Sequence, residues 1–203
     1  MLEGLPQRTD GQTREDFETI VHAFQYAVEN YPNTIAIRCG EDQASYLEYG
    51  EGVAAIAAFL TSQGIVKGER VAICASSSIS LPMLIFGVLS AGAQATLINP
   101  NYTEREINPL LDISEPKLIF HDATSQAAIE NASEGREIRL IDTAEPAENW
   151  QDKSVTSLPS ALPRAEDGAI IMFTGGTTGV SKGVPHSHAK VIAAMQIQED
   201  RWP

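Results

Sequence analysis

Hydrophobic residues along the chain follow two patterns that alternate through most of its length. The first is helical spacing: residues 13–31 place apolar side chains three or four positions apart, which predicts an amphipathic helix with Thr13 as its N-cap and Pro32 after its end. The second is a short unbroken apolar run, such as RVAICAS at residues 70–76, which is typical of a strand covered on both faces. The two patterns together predict helices that pack on a sheet.

The same patterns recur in order as far as residue 142. Further helices are predicted at 46–64, 80–92, 103–114 and 124–135, with Thr103 and Glu106 forming a capping box. Further strands are predicted at 34–39, 94–100, 116–120 and 136–142. Strands and helices that alternate at this spacing form right-handed βαβ units. The predicted fold class is therefore α/β, with a largely parallel sheet and helices on both faces.

The periodic patterns stop between residues 143 and 167. This segment contains three prolines and scattered charges, which predicts a surface loop or linker. The run GAIIMFT that follows it predicts one more buried strand. We therefore divide the chain into an α/β subdomain at 1–142, a linker at 143–167, and a segment at 168–203 that holds a strand, a glycine-rich loop and the start of a helix.

Composition and charge narrow the classes of partner. The chain of 203 residues has 14 Lys and Arg against 27 Asp and Glu, and its formal net charge of −13 argues against nucleic acid. No apolar run approaches the roughly 20 residues that span a bilayer, and the N-terminus has no signal-peptide pattern, so we expect no transmembrane segment and a cytoplasmic location. Cys39 and Cys74 are predicted to be buried free thiols rather than a redox pair.

One stretch carries most of the candidate chemistry, IIMFTGGTTGVSKGVPHSH at residues 170–188. Its glycines leave backbone N–H groups unobstructed by Cβ atoms, its threonines add hydroxyls, and Lys182 is the cation inside the loop. These groups suit a polyphosphate. The alternative that the loop only connects two elements remains open at this point.

Two catalytic motifs overlap with this stretch and fit it poorly. The lysine of a P-loop follows a glycine and precedes Ser or Thr, whereas here Ser181 precedes Lys182 and Gly183 follows it. Residues 179–183 also satisfy the G-x-S-x-G pattern of a hydrolase nucleophile elbow with Ser181 as nucleophile. An elbow turns sharply from strand to helix at its serine, but a loop separates Ser181 from the strand that ends at Thr174. The acidic residues after Ser181 also follow the last histidine, which contradicts the order Ser, acid, His.

The run FTGGTTGVSKG resembles the signature loop of the AMP-forming adenylating enzymes, the superfamily of acyl-CoA synthetases, luciferases and peptide-synthetase adenylation domains. Residues 46–120, with GIVKGERV, AGA and NPNYT, are similar throughout to the N-terminal subdomain of that family. The resemblance implies that a carboxylate attacks the α-phosphate of MgATP to give an acyl-adenylate and pyrophosphate, and that a thiol such as CoA then takes the acyl group.

The resemblance also implies which residues bind the phosphates. Lys182 would neutralise charge on the leaving pyrophosphate. The residues that would wrap the β- and γ-phosphates are Thr174, Gly175, Gly176, Thr177, Thr178 and Gly179.

The chain departs from the family pattern at a few positions. Gly175 stands where the family often has Ser, a substitution that resembles acyl-CoA synthetases and favours a fatty or aryl acid over an amino acid. Ser181 stands where Pro is common. His188 falls at the family's histidine after the loop and His186 has no counterpart, and either histidine can also be an ordinary polar residue at the start of a helix.

Much of the machinery of the family has no counterpart in this sequence, including the magnesium-binding Glu, the ribose-binding Asp and the adenylation lysine. We therefore expect an incomplete N-terminal fragment of an acid–CoA ligase that cannot form an adenylate alone, and we assign it no metal ligands. The alternative is a non-catalytic short scaffold or interaction protein derived from such an enzyme.

Overall fold

The computed structural model describes residues 17–144, 154–174 and 181–201, and side chains as far as residue 195. The helices are α1 (Ile20–Asn30), α2 (Tyr46–Ser62), α3 (Ser80–Ser90), α4 (Glu104–Ser114), α5 (Gln126–Ser133) and α6 (His188–Arg201). The strands are β1 (Ile35–Cys39), β2 (Asp42–Ser45), β3 (Arg70–Cys74), β4 (Gln94–Leu97), β5 (Leu118–His121), β6 (Arg139–Asp142), β7 (Gly168–Thr174) and β8 (Lys182–Ser187).

Six strands form the main sheet in the order β6-β5-β3-β4-β7-β8, and β1 and β2 pair separately as an antiparallel hairpin. Strands β3 to β7 of the main sheet are parallel to their neighbours, and β8 runs antiparallel to β7. The predicted α/β class with a largely parallel sheet is confirmed. Because β7 pairs with β4, strands on both sides of the linker at 143–167 share one sheet, while the division into domains stays a prediction.

Helices cover both faces of the sheet, as the unbroken apolar strands predict. On β3, the side chains of Val71 and Ile73 point to the core formed with α1, α2 and α3. Ala72 and Cys74 alternate with them and point to the core formed with α4 and α5. Neighbouring β5 repeats this alternation, with Phe120 on the first face and its preceding residue Ile119 on the second.

Local signals fix the ends of several helices. The carboxylate of Glu106 accepts hydrogen bonds from the backbone N–H and the hydroxyl of Thr103, at 2.8 and 2.7 Å, so the predicted capping box of α4 is confirmed. A second box precedes α2, where Glu48 accepts from the N–H of Ser45 at 2.8 Å. Gly64 follows the end of α2 at φ 81°, a conformation that favours glycine.

Three boundaries differ from the sequence prediction. The described helix α1 begins at Ile20, because the side chain of Thr19 accepts from the N–H of His22 and caps it there. The predicted N-cap, Thr13, lies outside the described residues. The strand predicted at 34–39 lies outside the main sheet and pairs with β2, which was not predicted. The helix predicted after the glycine-rich loop is preceded by β8, an edge strand with a polar sequence that shows no strand periodicity.

The two cysteines are free thiols, as predicted. Cys74 is buried, and burial raises the pKa of its thiol to about 11. Cys39 is only partly buried, which corrects the prediction for that residue. In the described part of the chain, no helix is both long and apolar enough to cross a membrane.

Candidate phosphate-binding site

The predicted phosphate loop leaves the sheet at the carboxyl edge of its parallel strands. Strand β7 is parallel to β4, with Ile171 level with Thr96, so Thr174 at the end of β7 lies beside the residues that follow β4. In open α/β sheets this is the edge at which ligands bind. The topology therefore places the loop where a ligand site is expected.

The stem of the loop brings two predicted phosphate ligands together. Thr174 and Lys182 are register partners in the antiparallel pair of β7 and β8, which puts their Cα atoms roughly 5 Å apart. Both side chains are exposed. The other predicted ligands lie outside the described residues: Gly175, Gly176, Thr177, Thr178 and Gly179.

A strand follows the loop, and this separates the site from the two rejected motifs. A P-loop and a nucleophile elbow both lead directly into a helix. Here Ser181 leads into β8, and α6 begins only at His188, at the other end of that strand. Phosphates at this loop would therefore be bound by hydroxyls and backbone N–H groups of the loop and by Lys182. A helix dipole would not contribute, because the loop does not lead directly into a helix.

Lys182 is exposed at the stem of the hairpin. Among the described residues it forms no ion pair. Because the formal charge of the chain is −13, an exposed ammonium at the stem is a local exception to the overall field. A lysine in this position can attract an anion to this edge of the sheet.

His188 lies far from this stem. It is separated from Lys182 by the length of β8, roughly 20 Å for six residues of extended chain. Its side chain is fully buried, and neither ring nitrogen has a hydrogen-bond partner among the described residues. The pKa of His188 is lowered to about 4, mainly by burial. The nearby carboxylate of Asp167 raises this pKa and His22 lowers it, and both effects are smaller than that of burial. His188 is at the start of a helix as proposed, but it is buried, whereas His186 is half-buried within β8.

Asp167, which directly precedes β7, connects the base of the β7–β8 hairpin to the rest of the fold. The sequence did not mark this residue as part of the site. Its carboxylate accepts from Lys67 Nζ and from the N–H of Arg164, both at 2.7 Å, and its carbonyl accepts from the N–H of His188 at 3.0 Å. Burial raises the pKa of Asp167, but these hydrogen bonds and the lysine outweigh it and leave the pKa lowered. The partners are distant in sequence, so no local motif marks them.

A second carboxylate fills the crevice between β3 and β5. The chain leaves these two strands in opposite directions, which makes their carboxyl ends a topological switch point. There the carboxylate of Asp122 accepts from the N–H groups of Ser76, Thr124 and Ser125, at 2.7, 3.0 and 3.3 Å. Burial raises the pKa of Asp122, but these hydrogen bonds leave it lowered. The protein's own anion thus occupies the place where other α/β folds bind a ligand.

We expect Asp122→Ala to lower the free energy of unfolding by about 2 kcal/mol, because it removes charge-assisted hydrogen bonds that join two loops. Urea unfolding at neutral pH measures the loss. Asp112→Ala is the matched control: its exposed ion pair with Arg136 should contribute less than about 1 kcal/mol. Equal losses in the two variants would show that Asp122 does not join the loops.

A cavity of about 470 Å³ opens on the same edge, between the loops that follow β3 and β4. Its floor is apolar, with Ile73 and Leu97, and its rim carries the polar side chains of Ser77 and Asn101. Among the described residues, no ionisable side chain lines this cavity. Its described lining therefore offers no charge to phosphates, whereas the stem of the β7–β8 hairpin carries Lys182 and is the better candidate.

Comparison with known proteins decides the family. Residues 24–203 match the family of AMP-binding enzymes. The chain belongs to the AMP-binding enzymes. The match confirms the resemblance seen in the signature loop and in residues 46–120.

Two curated proteins illustrate the similarity. One subunit of the plipastatin synthase of Bacillus subtilis is 30% identical over 91% of this chain and 7% of its own length. A medium/long-chain-fatty-acid–CoA/3-oxocholest-4-en-26-oate–CoA ligase of Mycolicibacterium smegmatis is 27% identical over 84% of this chain and 33% of its own length. The chain therefore spans a third or less of the length of these two relatives.

A solved structure agrees with the fold. The inhibitor-bound N-terminal domain of FACL13 from Mycobacterium tuberculosis matches with a TM-score of 0.76 and 26% identity, over 85% of this chain and 45% of that one. The predicted fold, the N-terminal subdomain of adenylate-forming enzymes, is thus confirmed for this AMP-binding enzyme.

Proposed function

We propose that this chain contributes the pyrophosphate-binding part of an AMP-forming acid–CoA ligase, which activates a carboxylic acid with ATP and passes the acyl group to CoA. The observation that carries the proposal is the stem of the β7–β8 hairpin. In a chain of the AMP-binding family, it puts Thr174 beside the exposed Lys182 at the carboxyl edge of the sheet.

The proposed roles follow from the chemistry of the stem and the loop. Hydroxyls and backbone N–H groups of residues 174–179 donate to the β- and γ-phosphates of ATP, and Lys182 neutralises charge on the pyrophosphate as it leaves. In the described ranges, no group of three or more His, Cys, Asp or Glu side chains could hold a metal ion. Mg²⁺ would therefore arrive with the nucleotide, held mainly by phosphate oxygens.

The acid is proposed to be a fatty or aryl acid. Support comes from Gly175, which resembles acyl-CoA synthetases, and from relatives named as medium/long-chain-fatty-acid–CoA ligases. The second candidate is adenylation of an amino acid, which is favoured by the 30% identity with a component of plipastatin synthase. The cytoplasmic location and the use of CoA remain predictions from the sequence.

Binding of pyrophosphate with Mg²⁺ to the purified chain, followed by calorimetric titration, tests the proposal. We expect Lys182→Ala to weaken binding about tenfold to a hundredfold, because one charge-assisted contact is lost. Lys190→Ala is the matched control, since it removes the same charge from an exposed lysine beyond the other end of β8 and should leave binding within about twofold.

Two results would contradict the proposal. Absence of binding to the wild-type chain would reject a pyrophosphate site at this hairpin. Equal losses in the two lysine variants would show that binding depends only on overall charge.

The polypeptide of residues 1–203 is expected to show no carboxylate-dependent pyrophosphate exchange above that of Lys182→Ala, because no residue in it replaces the adenylation lysine or the magnesium-binding Glu. Exchange by the wild type clearly above this control would show that the chain forms an adenylate by itself. If pyrophosphate binds without any exchange, the alternative of a non-catalytic scaffold protein stays open for this polypeptide.

A further inference from the structure

Gly183, the residue after Lys182, has no room for a side chain. A Cβ atom built on it would lie 2.7 Å from Cγ2 of Ile113 on α4, and 3.3 Å from Cγ2 of Ile171 on β7. Gly183 is not among the glycines with a positive φ, so the other residues could adopt its backbone conformation. Glycine is needed at this position because a side chain would collide with its neighbours. The nearest of these neighbours is Ile113 on α4, a helix that is far away in the sequence.

The helix on the other side of this contact is firmly held. On α4 the side chains of Ile107, Leu110 and Leu111 are at most 1% exposed and pack in the core on the second face of the sheet. Ile113 projects from the same helix toward β8, and its Cγ2 methyl lies next to Gly183. The residue remains 42% exposed. Strand β8 is at the edge of the sheet and pairs with β7 on one side. Contact with α4 is therefore a second restraint on its position.

We propose that the contact between Ile113 and Gly183 positions Lys182. Because Gly183 has no side chain, the backbone of β8 can lie directly against α4, and this contact fixes the strand that carries the lysine. The inference rests on the proposed function, in which Lys182 binds pyrophosphate. Ile113 lies on α4, outside the signature loop. It acts through the strand, by fixing the backbone from which the lysine side chain extends.

The physical reason is that the Ile113 side chain and strand β8, the two sides of this contact, differ in how easily they can move. Cγ2 of Ile113 is bonded to its Cβ and moves only if χ1 leaves the rotamer that isoleucine strongly prefers in a helix. An edge strand has fewer restraints than a helix whose inner face is packed in the core, so an added methyl on Gly183 would displace β8 and not α4. A displacement of a few tenths of an ångström is enough to weaken a charge-assisted hydrogen bond from Lys182.

The test is a set of three variants titrated with pyrophosphate and Mg²⁺. Gly183→Ala is expected to bind about tenfold more weakly than the wild type, which is the loss expected when one charge-assisted hydrogen bond from Lys182 is weakened. Adding Ile113→Ala removes Cγ2 and should restore binding to within about threefold of the wild type. Adding Ile113→Val in place of Ile113→Ala keeps a Cγ2 methyl and should leave the defect unchanged.

Melting temperatures of the same variants separate positioning from stability. The Gly183→Ala/Ile113→Ala double variant relieves the clash but loses the packing of the isoleucine side chain, so it should melt below the wild type and still bind pyrophosphate within about threefold of it. A role in stability alone would make binding follow the melting temperature, which would overturn the inference.

The remaining outcomes are also distinct. Wild-type binding by Gly183→Ala, together with a loss in Lys182→Ala, would overturn the positioning contact and leave the proposed function intact. Equal recovery in both double variants, or recovery in neither, would also overturn it. If the wild-type chain does not bind pyrophosphate, the proposed function fails and the inference fails with it.

Discussion

Phe120→Ala is expected to lower the free energy of unfolding by about 4 kcal/mol, the range found when a fully buried aromatic ring is deleted. Phe120 is 0% exposed on β5, between the paired strands β3 and β6. Its ring packs with that of Phe59 on α2, with 6.4 Å between the ring centroids. Removal of the ring would leave a cavity that neither the sheet nor the helix can close, because both are restrained by their own contacts.

Urea unfolding with an unchanged m-value measures this loss. Phe59→Ala is the control, because it removes the other ring of the same pair from a partly buried position and should cost clearly less. Phe120→Leu keeps most of the volume and should cost about 1 kcal/mol. A loss below about 1 kcal/mol in Phe120→Ala would mean that β5 is not covered as described.

The stability of the chain is expected to fall by up to about 3 kcal/mol as the pH decreases from 6.5 to 4, because of His188. Burial lowers the pKa of this side chain from 6.5 to about 4, so the unfolded chain takes up a proton in this window that the folded chain cannot. Above pH 6.5 both states are neutral, and below about pH 4 both are protonated, so the contribution of His188 changes only between these values. The carboxylate of Asp167 opposes the lowering, and the pKa of about 4 already includes this opposing effect.

Denaturant unfolding of the wild type and His188→Leu across this pH range checks the prediction. The variant should show a smaller loss of stability at low pH, since it cannot take up the proton, and no described hydrogen bond to the ring is lost. His186→Leu keeps His188 and should therefore retain the pH-dependent loss that His188 causes. Parallel pH profiles for the wild type and His188→Leu would contradict the assignment.

Most of the fold could be predicted because its main elements carry local signals. The run that forms β3 is apolar throughout, since helices cover both of its faces. Thr103 and Glu106 mark the start of α4 by hydrogen bonds across one turn. The polar strands β2 and β8 escaped prediction because pairing with a neighbouring strand, and not burial of an apolar run, makes them strands.

The candidate site was only partly predictable. The glycines, the threonines and Lys182 are visible in the sequence, and they point to phosphate chemistry by their residue types. Nothing in the sequence shows that Asp167 joins Lys67 to the base of the hairpin, or that Ile113 lies over Gly183. The burial of His188 was also not visible, because the same histidine would be exposed if the helix it begins did not pack against the core.

By itself, the sequence determined the α/β class, the position of the glycine-rich loop and the family resemblance. These depend on periodicity and on residue types within a short window, where each residue acts with its near neighbours. The tertiary structure alone decided the strand order, the pairing of Thr174 with Lys182, and the occupation of the crevice between β3 and β5 by Asp122. These depend on contacts between residues far apart in the chain, which exist only after the sheet has formed.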